Sequence, residues 1–474
     1  MTVSMSDLAR AIRADQAAQD AASDFSGHIA RWSDLYACKP VEIAFEFAEG
    51  TYRRERRSLG MAKQVCQDWA SLCWSEKVEI LAGEDESPTR NWLAEKFPPR
   101  FHTRFSEWLE GEVFQGGNGA LEVLIEDMVL RGERPDFSKA RLSVGFVPAT
   151  SFIPLEWDDE SVTSAAFATV GKRFVDVRVH THSKAGAIIQ YLRFVNANDT
   201  LGARIPDDVL LESGILPMLL IEGAPKLFAH IRPQIANNLA KNSPYGISVF
   251  ANAESQLDAV DTCFDNFVSD VVLGARMVFV PETMLRTDDS GRTIPPQRDK
   301  KQLFVSLNDA TGEMKHGIHE YAPALRVEEN ERALNLALSL MATKCGMGEE
   351  SYRYRDGSIA TATQIISENA ELYRNRTHHL LNIVAGVKDI VRALLWCQYH
   401  LVGDKSIDPE AEVTVKTDDS IIEDDGARQK RGMEKVTMGV MSLHRYLVEY
   451  EGMAPEDADA EVARIEAVKT PELV

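Results

Sequence analysis

Two groups of histidines have a spacing that could serve metal binding. His180 and His182 lie two residues apart on a predicted strand, so their side chains would share one face. A zinc site needs at least three protein ligands, and the sequence offers no third one nearby. His316, His319 and Glu320 do not follow the order of the zinc-hydrolase motifs. The pattern therefore predicts surface histidines at 180 and 182 and no metal site.

Other residues capable of catalysis lack the spacing that catalysis needs. The six cysteines are dispersed, and Cys66 and Cys73, seven residues apart on one predicted helix, are expected to be small apolar residues in a reducing compartment. The glycine-rich stretch 116–119 lacks the Lys-Ser/Thr of a phosphate loop and predicts a turn. The sequence contains no GxxxxGK[ST], HExxH, GxSxG or EF-hand motif. These features predict a protein that is not an enzyme and carries no cofactor, and they argue above all against a P-loop ATPase.

The charge balance limits how the chain can interact with nucleic acid. It has 52 Lys and Arg against 73 Asp and Glu, a net charge of -21. Because phosphate affinity comes from Lys and Arg releasing counterions, such a chain should let DNA slide rather than hold it. A soluble, self-repelling surface explains the same charge equally well. In this acidic context the basic run 53–57 predicts a solvated helix start.

Nothing in the sequence predicts a membrane segment. No run of about eighteen apolar residues occurs, and the first twenty residues lack the apolar core of a signal peptide. We therefore expect synthesis in a cytoplasm and no membrane partner.

Two long helices are predicted around a small strand-containing excursion. Ser243 and Pro244 are a favourable helix start, and Gly274 is a suitable end, which gives a helix of about 45 Å. Apolar residues keep helical spacing along it: Leu257, Val260, Phe264, Phe267 and Val271. The second helix is predicted over 327–347, so the two helices and the excursion form a hairpin-like projection.

The rest of the chain is predicted to mix strands and helices. Residues 121–194 show the period-two pattern of strands separated by Gly, Pro and Asp turns. After the second helix, the segment Tyr352-Arg353-Tyr354-Arg355 alternates aromatic and cationic residues, as an extended strand or loop would. Residues 360–401 predict the longest helix, about 63 Å. The predicted fold class is α+β, mainly helical.

Four stretches resemble the portal proteins of tailed, siphovirus-type bacteriophages. They are 57–70 running on to 75–79, 228–238 followed by 243–249, 361–374 and, more weakly, 419–424. They occur in the order of that family. None is a catalytic signature, but their joint occurrence is specific.

The resemblance implies an elongated, portal-type subunit. Along the chain it would have a wing region of helices and then strands (1–242), a first stem helix (243–275), a small clip that contains strands (276–326), a second stem helix (327–347), a tunnel loop (348–360), a long wing helix (361–401), and the wing end with a helical C-terminal crown (402–474). Phe264 and Phe267 would then pack between neighbouring stems. Tyr352, Arg353, Tyr354 and Arg355 would form a DNA-facing tunnel loop, and a structural β-edge is an equal alternative for them.

The function implied is that of a ring at one capsid vertex of the virion. Twelve subunits would surround a channel through which double-stranded DNA passes without sequence specificity during packaging and ejection. The expected partners are the terminase motor, the head-completion or adaptor proteins and the major capsid protein. Two alternatives remain open: another ring-forming head–tail structural protein, and a phage enzyme without a recognised motif.

Overall fold

The structure of the chain is a computed structural model. It describes residues 3–47, 50–75, 77–131, 134–158, 161–198, 200–274, 277–281, 289–290, 304–307, 319–354, 362–417, 432–451 and 453–469. Helices take 46% of the chain and strands 24%, so the predicted mixture of helix and strand is confirmed. No described helix combines the length and apolar character that crossing a membrane requires.

The described residues include the helices α1 (Met5–Ala11), α2 (Gln16–Tyr36), α3 (Met61–Cys73), α4 (Pro88–Lys96), α5 (Pro99–Trp108), α6 (Asp207–Glu212), α7 (Glu254–Leu273), α8 (Val327–Lys344), α9 (Ala362–Cys397), α10 (Leu443–Glu449) and α11 (Pro455–Lys469). The strands are β1 (Val41–Phe47), β2 (Gly50–Arg56), β3 (Glu79–Ala82), β4 (Gly119–Glu126), β5 (Val129–Arg131), β6 (Arg134–Asp136), β7 (Arg141–Val147), β8 (Phe152–Trp157), β9 (Val162–Val170), β10 (Phe174–Ser183), β11 (Gly186–Ala197), β12 (Thr200–Arg204), β13 (Met218–Glu222), β14 (Phe228–Ile231), β15 (Met277–Pro281), β16 (Phe304–Leu307), β17 (His319–Tyr321) and β18 (Val413–Lys416).

The chain forms two compact units. The first contains Met1–Ile29, Cys66–Ser248 and Gly357–Val474, and the second contains Ala30–Val65 and Val249–Asp356. In the first unit, β8 to β12 form an antiparallel sheet in the order β12-β11-β10-β9-β8, with β13 also paired to β11. Strands β14, β4 and β7 form a second sheet. The strands predicted over 121–194 are therefore confirmed.

Helix α9 packs against the second sheet and buries one apolar face there. Its buried residues keep helical spacing: Ile383, Val387, Ile390, Val391 and Leu394. At Gly386 a Cβ atom would lie 2.6 Å from Cγ1 of Ile231 on β14, so only glycine allows this close approach. The helix begins at Ala362, two residues after the start at 360 that its sequence pattern predicts, and a π-helical turn, Gln398–Val402, follows it.

The glycine-rich stretch 116–119 is a buried junction rather than a simple turn. Gly117 has φ of 74°, and a Cβ there would lie 2.6 Å from the carbonyl carbon of Ile247. Asn118 Oδ1 accepts a hydrogen bond from the N–H of Gly246 (2.8 Å), and Asn118 Nδ2 donates to its C=O (3.2 Å). These bonds satisfy both backbone groups of Gly246 outside any helix.

The prediction that a helix starts at Ser243 and Pro244 is wrong, because Asn118 binds the backbone of Gly246 in a non-helical conformation. Residues 241–250 have no α-helical structure, and α7 begins only at Glu254. Its 20 residues give a length of about 30 Å instead of 45 Å. Ser243 and Pro244 are a favourable helix start when only neighbouring residues are considered. The residue that binds Gly246 instead, Asn118, lies 128 residues away in sequence.

The first unit also corrects the prediction for one of the paired histidines. His182 is exposed, but His180 lies in the middle of β10, paired with Ala165 and Ile189, and is only 3% exposed. Its Nε2 is 3.5 Å from Oε2 of Glu122. Burial alone would raise the pKa of Glu122, but His180 and Arg178 beside it hold that pKa below its usual range.

The six cysteines, all within the described residues, form no disulfide, and most of them fit the prediction of small apolar residues. Cys66 and Cys73 are buried, and burial raises the pKa of Cys73 to about 12, which keeps it a neutral thiol. Cys38 departs from the pattern because it is exposed.

In the second unit, α7 and α8 pack along each other, and the β1–β2 hairpin packs against α7. Between the two helices, β15 pairs in parallel with β16 and antiparallel with β17. The predicted helix, strand-containing excursion and returning helix are therefore present. Of the second histidine group, His319 and Glu320 lie on β17, whereas His316 is outside the described residues.

Candidate functional site

An acidic stripe runs along one face of α7. Glu254, Asp258, Asp261 and Asp265 are spaced by four, three and four residues, so they lie one above another on the helix. The stripe faces cationic and hydrogen-bonding groups from the hairpin and from the end of α2. It attaches these elements to the helix in the second unit.

The basic run 53–57 supplies most of these cations. Arg54 binds Asp265 with both terminal nitrogens, at 2.8 and 2.6 Å, and Arg56 Nη1 lies 2.5 Å from Oδ1 of Asp258. At the other end of the stripe, Arg31 and Trp32 bind the carboxylate of Glu254 at 2.5 and 3.0 Å. The predicted solvated helix start is therefore wrong: residues 53–56 belong to β2, and three arginines of the run pair with acids about 200 residues away in sequence.

Asp265 is the most enclosed member of the stripe. Its side chain is 5% exposed and also accepts from the backbone N–H and from Nη1 of Arg57, both at 3.2 Å. The Arg54 hydrogen bonds, supported by Arg57, lower the pKa of Asp265 to about 2. The carboxylate is therefore ionised throughout the physiological range and holds the hairpin in place.

A second ion cluster lies near the other end of α7. Arg326 Nη2 contacts both oxygens of Asp270, at 2.7 and 2.8 Å, and Asn330 Nδ2 donates to Asp270 Oδ2 at 2.9 Å. These hydrogen bonds lower the pKa of Asp270. They connect the C-terminal part of α7 to the start of α8.

Phe264 and Phe267, predicted to pack between subunits, lie on a stripe of α7 that becomes progressively more exposed. Val260 is fully buried, Phe264 and Phe267 are half-buried, and Val271 is 44% exposed. The last residues of the helix, Val272 and Leu273, are also exposed. Part of this apolar surface is therefore left uncovered by the described residues of the chain.

Helix α8 carries a second apolar stripe that sequence periodicity missed. Leu336 and Leu340, one turn apart, are 63% and 54% exposed. On the opposite face, Leu338 and Met341 are buried. The number of leucines in the sequence could have indicated this second stripe. A helix with a single buried face does not need apolar residues at 336 and 340 as well.

The predicted tunnel-loop residues follow α8 directly. Tyr352 is half-buried and Tyr354 is exposed, while Arg353 Nη1 pairs with Oε1 of Glu350 at 2.6 Å. The backbone N–H and C=O of Tyr354 are both bonded to the side chain of Asn335 on α8, at 2.9 and 3.3 Å. Arg355 lies outside the described residues.

The described residues hold no cluster of three or more His, Cys, Asp or Glu side chains arranged to bind a metal ion. The geometry of the second unit is instead that of a helix pair with uncovered apolar faces, a hairpin fixed by ion pairs, and a segment tied to the second helix.

The sequence of the chain matches the model of one protein family. The family model "Phage portal protein, SPP1 Gp6-like" matches residues 26–470. No curated protein matches the chain. Among solved structures, the chain is similar to one described as the neck of an empty GTA particle computed with C6 symmetry, at 14% identity and a TM-score of 0.38, covering 83% of this chain and 90% of the other.

A second similar structure is described as the neck of a native GTA particle computed with C12 symmetry. It is 12% identical with a TM-score of 0.37, and the match covers 82% of this chain and 88% of the other. The family match by itself spans nearly the whole sequence, including all four stretches that carry the resemblance. The chain therefore belongs to the phage portal protein family.

Proposed function

We propose that twelve copies of this portal protein form the ring at one capsid vertex of a virion. The ring would guide double-stranded DNA during packaging and ejection. The observation that carries this proposal is the uncovered apolar surface of α7 and α8 in the second unit.

A ring needs two different contact surfaces on each subunit, because each copy meets two neighbours head to tail. The α7 stripe around Phe264 and Phe267 and the α8 stripe of Leu336 and Leu340 supply two such surfaces. Packing one against the other would bury both at every interface. These helices would then be the stem of the ring.

The remaining regions take the roles that their positions in the family imply. The excursion over 276–326 would be the clip, which contacts the terminase motor and later the head-completion or adaptor proteins. The first unit would supply the wing, with α9 as its long helix, and the C-terminal crown. The major capsid protein would surround the ring.

The acidic composition suits a channel that does not retain DNA. Twelve chains of charge -21 give about -252 before counterions, and phosphates are repelled by such a wall. Tyr352, Arg353, Tyr354 and Arg355 would line the tunnel loop at the narrowest part. Since Arg353 is paired with Glu350, its contact with phosphate would be weak and transient, as sliding requires.

Negative-stain imaging and light scattering of the purified protein test the proposal. Twelve copies of 52.8 kDa give about 634 kDa, and end-on images should show a ring with a central channel. A protein that remains a 52.8 kDa monomer at every salt and protein concentration would contradict the proposed ring.

A further inference from the structure

The side chain of Asn335 binds both backbone polar groups of Tyr354. Its Oδ1 accepts from the N–H of Tyr354 at 2.9 Å, and its Nδ2 donates to the C=O of Tyr354 at 3.3 Å. The side-chain amide of Asn335 therefore satisfies both backbone polar groups of Tyr354, as a neighbouring β-strand would. Asparagine is a poor residue for a helix interior, yet Asn335 lies in the middle of α8, so helix formation does not explain its presence there.

The chain between these two residues reverses direction. Gly346 and Gly348 follow α8 with φ of 75° and 87°, values that favour glycine. Because Tyr354 is bonded to Asn335, the chain must return along the helix. The nine residues from Asn335 to Lys344 correspond to about 13 Å of helix, so the attachment lies well back from the end of α8.

Two side-chain contacts within the turn between Met347 and Arg353 are local. Ser351 Oγ donates to the C=O of Met347, and Arg353 pairs with Glu350. These contacts join residues three or four positions apart and shape the turn. The Asn335–Tyr354 pair joins residues 19 positions apart and ties the returning segment to the helix.

We propose that Asn335 is a positioning residue that latches the start of the tunnel loop to α8. This inference rests on the proposed function, which places the loop beside DNA and α8 in the stem. With the latch closed, the height of the loop in the channel follows the position of α8. Displacement of the loop by DNA is then transmitted to the stem helix.

The variant Asn335→Ala tests the latch in the full-length, assembled ring. It removes both hydrogen bonds, and alanine is the most favourable residue for a helix, so α8 itself should not weaken. Each of the two hydrogen bonds is exposed. Each therefore changes the equilibrium constant between the segment attached to α8 and the segment detached from it by only a few-fold. We expect tryptic cleavage after Arg353 and Arg355, followed by mass spectrometry, to become about tenfold faster.

The control is Glu328→Gln on the same helix. It breaks the exposed i,i+4 pair with Arg332 without touching the returning segment, so its cleavage rate after Arg353 and Arg355 should equal that of the wild type. Both variants should form rings with an unchanged melting temperature.

The second measurement is DNA retained per particle in a phage that carries Asn335→Ala. The latch predicts altered retention at a normal number of rings. Cleavage at the wild-type rate, or normal retention despite faster cleavage, would overturn the positioning role and leave the ring itself intact. Failure of the wild-type protein to form rings would instead overturn the proposed function.

Discussion

Buried polar side chains in the first unit determine local backbone geometry and also the response to acid. His230 Nε2 lies 3.2 Å from the same Asn118 oxygen that accepts from Gly246, and burial lowers the pKa of His230 to about 3. His379 Nδ1 accepts from the N–H of Gln234 at 3.1 Å, and burial lowers the pKa of His379 to about 4. Both rings are therefore held neutral in the folded protein.

We expect acid to destabilise the first unit between about pH 6.5 and pH 4 through His379. In the unfolded chain the ring takes up a proton below its ordinary pKa of 6.5, while in the folded chain it stays neutral down to about 4. The unfolded state binds more protons in this window, so stability falls as pH decreases, by up to about 3 kcal/mol. Thermal unfolding at pH 7 and at pH 4.5 should show a smaller loss for His379→Gln. An equal loss in the variant and the wild type would contradict the assignment.

Gly117 should tolerate no side chain. Its φ of 74° and the 2.6 Å separation between a Cβ there and the carbonyl carbon of Ile247 predict that Gly117→Ala lowers stability by more than about 2 kcal/mol. Gly111→Ala is the matched control, because a Cβ at 111 meets no atom within 4 Å. Denaturant unfolding of the two variants gives the difference, and similar midpoints would mean that the junction can shift.

At the scale of elements, the hairpin depends on the acidic stripe of α7. Asp265→Asn would leave Arg54 and Arg57 beside a neutral amide in an enclosed site, at a cost of about 2–4 kcal/mol. Hydrogen exchange in residues 41–56 should accelerate. Asp258→Asn, at a side chain that is 64% exposed, should change exchange little.

Protonation of the Asp265 carboxylate should also loosen the attachment of the hairpin at low pH. The folded pKa of Asp265 is about 2, below its ordinary value of 3.8, so its contribution is complete above about pH 4. It is lost as pH falls from about 4 to 2, because the unfolded state then binds the proton first. Exchange in residues 41–56 should rise in that window, and Asp265→Asn should remove this rise.

The proposed role of α7 and α8 as stem helices leads to a prediction about assembly. Phe267→Asp would place a charge in the proposed apolar contact between subunits, at a cost of several kcal/mol per interface. Rings should weaken or disappear while each subunit stays folded, as measured by light scattering and circular dichroism. Asn266→Asp, on the adjacent exposed position, is the control and should assemble normally. Normal rings from Phe267→Asp would show that another face of α7 makes the contact.

At the scale of the whole molecule, we expect the proposed tunnel loop to influence how DNA moves through the proposed ring. Arg353→Glu with Arg355→Glu changes the charge by four units per subunit, which is 48 around twelve subunits, within a few Debye lengths of the duplex. Rings should still form, because a surface segment contributes little to subunit contacts. DNA content per particle and packaging yield should fall.

Glu350→Arg combined with Arg353→Glu provides the matched control, since it exchanges the partners of the observed pair and leaves the local charge unchanged. Packaging close to the wild-type level is expected for this variant. Loss of the ring in the Arg353→Glu, Arg355→Glu protein would instead assign these arginines to the subunit interface.

The sequence by itself predicted the features that depend on neighbouring residues. The period-two pattern located the strands between 121 and 194, and helical periodicity placed the starts of α8 and α9 within two residues. These predictions succeed because side-chain periodicity is a local property of strands and helices. The family resemblance carried by the four stretches is likewise contained in the sequence, and the family match confirms it.

Only the tertiary structure decided the features that depend on distant partners. Residues near 246 are not helical because Asn118, 128 positions away, binds both backbone groups of Gly246, and this overrides a good capping signal at Ser243. The basic run lies in a strand whose arginines meet Asp258 and Asp265, and Asn335 binds Tyr354, 19 residues later, where the chain returns. A hydrogen bond or ion pair needs both partners within about 3 Å, and that proximity is set by folding rather than by spacing along the chain.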